Sequence, residues 1–202
     1  MHNWQKMGKS GKNRALPLYF SAGYGIINKM CPEKGPGRQG REDMSKNFTD
    51  LRDNLTMLTD FYELTMANGY LANGYADTIC YFDMFFRKVP DNGGFAIMAG
   101  VEQLVDYLKN LRFTEEDLEY LRSKHIFQEE FLDYLRHFTF ACDVWAVPEG
   151  TPIFPGEPIV TVRGPAIQAQ FIETMVLLCI KHQSLIATKT NRIVRAAQGR
   201  AV

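Results

Sequence analysis

Two rhythms of apolar residues alternate along the chain. In "LTDFYELTMANGYL", Phe61, Leu64, Ala67 and Leu71 recur at three- and four-residue steps, while Tyr62, Met66 and Tyr70 make a second apolar side. Residues three and four apart share one face of a helix, so this spacing predicts a helix with two apolar faces. The rhythm then shortens to two. In "DTICYFDMFFRKVP", Ile79, Tyr81, Asp83 and Phe85 alternate with Cys80, Phe82, Met84 and Phe86. A strand apolar on both sides is expected at the centre of a covered sheet. "DNGG" at 91–94 is a turn signal, and "FAIMAG" after it reads as a short strand.

Helical spacing returns at Val101, Leu104, Val105, Leu108 and Leu111. Thr114 with Asp117 three residues on predicts a reciprocal cap ahead of Leu118 and Leu121. A further helix is expected from about Gln128 to His137. From Phe140 the pattern turns to strands, "FACDVWAV", "TPIF" and "PIVTVRG", with Pro148, Pro152, Pro155 and Pro158 confined to turns or edges because each lacks a ladder donor. One long helix is expected over roughly Ile167 to Ala197, with "AAQGRAV" as its end, a Gly turn and the first residues of a strand. The fold class expected is α+β with antiparallel strands.

Composition and charge change this picture in one place. Met1 to Asp43 holds eight Lys/Arg against three Asp/Glu, and the rest of the chain fifteen against twenty. With its Gly, Lys and Arg and its single short apolar patch, this segment is expected to be a disordered or non-native leader, with Met44 placed as an internal start. The expected organisation is thus a leader over 1–43, an α+β domain over 44–165, and a linking helix over 166–202 that leads towards a missing second domain. The remainder has no concentrated basic surface, so no nucleic-acid partner is expected. No long uninterrupted apolar run is present, so no membrane partner is expected either. The four cysteines are widely spaced, without a CxxC pair, and read as buried thiols in a reducing, cytoplasmic setting.

Chemistry is thinly signalled. HExxH, GxSxG, GxxxxGK[ST] and GxGxxG are absent, and His182 has no acidic neighbour within a turn, so no metal ligand set is expected. Asp60 is placed to cap the first helix, with Glu63 returning a bond to its first free N–H. Lys181, Lys189, Arg192 and Arg195 line the last helix; they favour its C-terminal dipole, and Lys189 and Arg192 are candidates to face a phosphate.

Four blocks in order add to this reading: "LTDFYELTMANGY", "FDMFFRKVPDNGGFAIMAG", "PEGTPIFPGEPIVTVRGP" and "ETMVLLCIKHQSLIATKTNRIVRAAQGR". Together they resemble the N-terminal part of the nicotinate phosphoribosyltransferases, over about residues 54–202. The match departs from the family at Asp91-Asn92, where Phe-Gly is commoner, and at Lys181, where asparagine is common. The resemblance implies a mixed or antiparallel sheet-and-helix domain of a type II phosphoribosyltransferase, cut off where an irregular α/β barrel begins. It implies transfer of phosphoribose from 5-phosphoribosyl 1-diphosphate to nicotinate in NAD salvage, with Mg2+ on the diphosphate and ATP as co-substrate. It also implies a homodimer with shared active sites, in which Tyr62, with Asp60 beside it, reaches nicotinate in the partner subunit. The catalytic residues are expected beyond residue 202, and the fragment alone is expected to be inactive. Two alternatives stand beside this: a related nicotinamide or quinolinate phosphoribosyltransferase, and a non-catalytic dimerisation or regulatory module.

Overall fold

The computed structural model describes residues 4–7, 25–26 and 54–201. Among the described residues helix α1 (Phe61–Ala72) comes first of the helices, followed by strand β3 (Ile79–Met84) and the short strand β4 (Ala96–Ile97). Three helices then run in succession: α2 (Val101–Asn110), α3 (Glu115–Arg122) and α4 (Glu129–Arg136). Strands β5 (Asp143–Ala146), β6 (Pro152–Ile153) and β7 (Val160–Pro165) precede α5 (Ala166–Phe171), α6 (Glu173–Val176) and α7 (His182–Ala197). Two pieces of the expected leader, β1 (Trp4–Met7) and β2 (Gly25–Ile26), lie as edge strands; the rest of 1–43 falls outside the described residues.

The main sheet has the order β1-β3-β7-β5-β2, and β4 pairs with β6 in a second, two-stranded sheet. Among the described residues every pairing is antiparallel, and most join strands far apart in sequence. Register places Phe82, Val162 and Val144 in one cross-strand row and Met84, Val160 and Ala146 in the next. Met84, Val162, Val160, Val144 and Ala146 are buried, and this face carries the core. Beside the helices, Phe113, Phe138 and Phe171 meet edge to face with ring centroids 5.3–5.7 Å apart, a geometry aromatic quadrupoles favour.

β3 is inside the sheet but is not covered on both sides. Ile79 and Tyr81 remain 49% and 41% exposed, while Cys80 and Met84 are buried. Its open side is held by polar rows instead of apolar cover. Arg163 donates to the Tyr81 hydroxyl and to the Asp143 carboxylate, both at 2.9 Å, and the Thr161 hydroxyl donates to Asp83 at 2.5 Å. Apolar type at Ile79 and Tyr81 thus misstates the face, because a tyrosine ring lies on a wet surface when its hydroxyl has a partner.

Local signals account for most boundaries. Thr114 and Asp117 form the expected reciprocal cap, Asp117 N donating to Thr114 Oγ1 at 3.2 Å and Thr114 N to Asp117 Oδ2 at 2.8 Å. The "DNGG" turn puts Asp91 and Asn92 at φ 57° and 51°, a left-handed conformation that Asp and Asn tolerate best among non-glycine residues. Glu149 reaches across to α2, its Oε1 accepting from the N–H groups of Gly100 (2.8 Å) and Val101 (2.6 Å). A carboxylate there satisfies donors that a helix start leaves free.

The expected single helix over 167–197 is broken. Ile172 interrupts it at ψ 0°, and Leu177–Lys181 forms a wider π turn between α6 and α7. Nor does the region simply lead away from the domain. Ser184 Oγ exchanges bonds with Ala99 (N–H 3.0 Å, C=O 3.2 Å), and Thr188 Oγ1 accepts from Ile97 N at 2.8 Å. "SLIATK" is therefore a seam between α7 and β4. Gln198 and Gly199 then take left-handed backbone at φ 49° and 84°, ending α7 as the Gly turn predicts.

Among the described residues Cys80 and Cys142 are buried, and none of the cysteines is in a disulfide. Burial pushes the Cys142 thiol up to about 12 and the Cys179 thiol up to about 11, so both stay protonated.

Candidate functional site

The start of α1 and the short α6 build one polar cluster inside the domain. Glu63 is 1% exposed and Glu173 4%. Glu63 Oε1 accepts from the Thr174 hydroxyl at 2.7 Å and from the Thr174 N–H at 3.2 Å, and its Oε2 from the Thr59 hydroxyl. Glu173 Oε2 accepts from the Tyr62 hydroxyl at 2.6 Å, across 111 residues of sequence. The Asp60 N–H donates to Thr174 Oγ1 at 3.2 Å. One threonine thus serves both the helix start and a buried acid.

Charge is costly in this place. Burial, followed by the neighbouring Glu173 among the raising influences, lifts the Glu63 carboxyl to about 7, although the Thr59 and Thr174 bonds pull it down. The Tyr62 phenol is pushed well above its ordinary value by burial first, then by its bond to Glu173 and the charges of Glu173, Glu63 and Asp60. From α2, Tyr107 closes the cluster with its hydroxyl raised by burial and by the same Glu63.

Two expectations from sequence change here. Asp60 is the N-cap residue of α1, but its side chain makes no cap bond. Glu63 does not return a bond to the Asp60 N–H; it accepts instead from the Thr59 hydroxyl just before the helix and from two Thr174 donors on α6. The buried side of α1 accordingly runs through Glu63, Leu64 and Ala67, whereas Phe61 is 48% exposed and rests edge-on against Phe127 at 5.9 Å. On the other side Met66 is exposed, its sulfur accepting from the Gln170 amide at 3.3 Å, and Tyr62 is partly exposed.

The two cations singled out on α7 part company. Lys189 is exposed, on the side of α7 away from Ser184 and Thr188, and Arg192 Nη1 lies 3.2 Å from Asp91 Oδ2. The "DNGG" turn therefore holds one of the two candidate phosphate contacts. His182 is exposed. Among the described residues no three His, Cys, Asp or Glu side chains converge as metal ligands, and no helix is long and apolar enough to cross a membrane.

Glu173 is the functional candidate that a motif search passes over. Its signal is compositional: it is the one charged residue in "AIQAQFIETMVLLCI", residues 166–180. A lone carboxylate in an apolar helical run requires a buried partner.

Comparison with known proteins identifies the family. The model of the nicotinate phosphoribosyltransferase (NAPRTase) N-terminal domain matches residues 57–181. Nicotinate phosphoribosyltransferase pncB2 of Mycobacterium tuberculosis is 47% identical over 146 residues, covering 72% of this chain and 31% of that protein. The Bacillus subtilis nicotinate phosphoribosyltransferase is 40% identical over 141 residues, covering 70% of this chain and 29% of its own length. The crystal structure of human nicotinic acid phosphoribosyltransferase superposes with a TM-score of 0.65 at 35% identity, over 71% of this chain and 29% of the human one. The chain thus spans about a third of the length of these relatives. With α1, the polar cluster and the α7 seam all inside or directly beside the matched segment, the chain belongs to the nicotinate phosphoribosyltransferase family through its N-terminal domain.

Proposed function

We propose that the full-length protein transfers phosphoribose from 5-phosphoribosyl 1-diphosphate to nicotinate, giving nicotinate mononucleotide and diphosphate in NAD salvage. The observation that carries this is Tyr62: a ring partly exposed at the start of α1, with its hydroxyl anchored inside the domain on Glu173. A flat aromatic side chain anchored by its polar end offers its face to a flat pyridine ring at low conformational cost.

In this reading the protein works as a cytoplasmic homodimer, and Tyr62, with Asp60 exposed two residues before it, meets nicotinate in the partner subunit's site. Of the two candidate cations, Lys189 is exposed on α7, while Arg192 is paired with Asp91 through Nη1. The described residues converge no ligand set for Mg2+. In the same reading Mg2+ accompanies the diphosphate, ATP is the co-substrate, and the 202-residue chain alone carries out no transfer.

The test is a substrate panel on the full-length protein, with nicotinate, nicotinamide and quinolinate each offered with 5-phosphoribosyl 1-diphosphate and Mg2+. Turnover of nicotinate alone is expected. Turnover of either other base in its place would move the protein to a related transferase. No turnover of any base, with a stable dimer, would favour a non-catalytic module.

A further inference from the structure

The contact between Tyr62 and Glu173 joins a partly exposed ring to a carboxylate 4% exposed, on a helix turn that is itself pinned. Its 2.6 Å length is short for an O–H···O hydrogen bond, a contact with a preferred direction. A tyrosine has two side-chain torsions, so a fixed phenol oxygen at one end and the helix backbone at the other leave the ring little freedom. Next to it, Glu63 takes both the N–H and the hydroxyl of Thr174, the residue directly after Glu173. The turn that carries Glu173 is thereby tied to the helix that carries Tyr62.

We propose that Glu173 is a positioning residue for Tyr62, fixing the angle at which the ring stands at the start of α1, and that the Glu63–Thr174 contact keeps the two helices in place for it. This rests on the reading of Tyr62 as a nicotinate contact. Glu173 itself meets no substrate; it acts through the phenol. The titratable groups around that phenol are Glu173 from α6, Glu63 and Asp60 from the start of α1, and Tyr107 across the cluster from α2.

The test is a double-mutant cycle on the full-length protein, reading the KM for nicotinate, the KM for 5-phosphoribosyl 1-diphosphate, kcat and the urea midpoint. Tyr62→Phe and Glu173→Ala should each raise the nicotinate KM about 5- to 20-fold, leaving the KM for the other substrate near its starting value. Glu173→Gln keeps an acceptor oxygen and should recover most of the loss, to within about 3-fold. In a Tyr62→Ala background, Glu173→Ala should add no further rise. If Glu173→Ala fails to fold, Tyr62→Phe carries the test, since it removes the hydroxyl and keeps the buried volume. Should Tyr62→Ala raise the nicotinate KM while Tyr62→Phe leaves it unchanged, the positioning role is overturned and the contact stands. Full additivity in the cycle overturns it too. A nicotinate KM unmoved by Tyr62→Ala removes the contact itself, and this inference with it.

Discussion

Two polar seams tie distant parts of this chain together, and they are made of different chemistry. At the start of α1, buried carboxyls of Glu63 and Glu173 meet Thr59, Thr174 and the Tyr62 phenol. Between α7 and β4, the neutral hydroxyls of Ser184 and Thr188 meet the backbone of Ala99 and Ile97. Both satisfy buried polar atoms across long stretches of sequence. The neutral seam does so without any ionisation, so its contribution is the same at every pH. The acidic seam brings a proton into the fold. The proton enters because burial raises the Glu63 carboxyl to about 7, whereas nothing in the neutral seam titrates near that pH.

The largest effect should come from Gly100, which sits next to the neutral seam at Ala99. A Cβ there would meet the Cys179 carbonyl oxygen at 2.4 Å, with φ at 101°. Gly100→Ala should cost about 3 kcal/mol or more, seen as a lowered urea midpoint or loss of soluble protein. A variant with wild-type stability would show that the α2–π-turn approach is looser than described.

Next in size is the titration of Glu63. From the ordinary glutamate range up to about 7, the folded protein holds a proton that the unfolded chain has released. Stability should therefore fall as pH rises through that window and level off above it, by on the order of 2–3 kcal/mol between pH 5 and 8. Glu63→Gln should remove that slope. Unfolding curves at several pH values for both proteins read it directly, and an unchanged slope in the variant would move the titration to another group.

Thr188→Val is the counterpart for the neutral seam. Ile97 N loses its acceptor, which should cost about 1–2 kcal/mol equally at pH 5 and pH 8. A pH-dependent loss would erase the distinction between the seams. Glu149→Gln should cost less, about 0.5–1 kcal/mol, because the amide oxygen still accepts at the α2 start and only its charge is lost. The smallest effect is expected for Asp91→Asn. It breaks an exposed pair with Arg192, worth at most about 1 kcal/mol, while asparagine suits the left-handed backbone at that position. If that variant also left Arg192 free to meet phosphate, the Kd for a diphosphate probe in the full-length protein would fall.

What could be read from the sequence follows how local each cause is. The Thr114–Asp117 cap, the left-handed turn at Asp91-Asn92 and the end of α7 at Gln198-Gly199 are set by residues a few positions apart, and periodicity and turn chemistry locate them. Asp60 shows the limit. A good capping residue in the capping position leaves its side chain unused, and its own N–H, the donor a local box would give to Glu63, goes to Thr174, 114 residues away. Glu63 likewise looks like half of a local box, but it meets Thr59 locally with one oxygen and Thr174 across the fold with the other. Of the site, Tyr62 was legible through resemblance and Glu173 only as an uncompensated charge. The pairing of the two belongs to the packing of α1 on α6, which no window of sequence contains.

The π turn at Leu177–Lys181 sets the rotational phase of everything after it. A π turn takes in one residue more than an α turn, and one residue is about 100° of helical rotation. Wound as plain α-helix, the same sequence would swing Ser184 and Thr188 off the β4 backbone and turn their neighbours towards it. That single surplus residue works as an indexing step: it decides which side of α7 becomes cement and which side, with Lys189, is left facing outward.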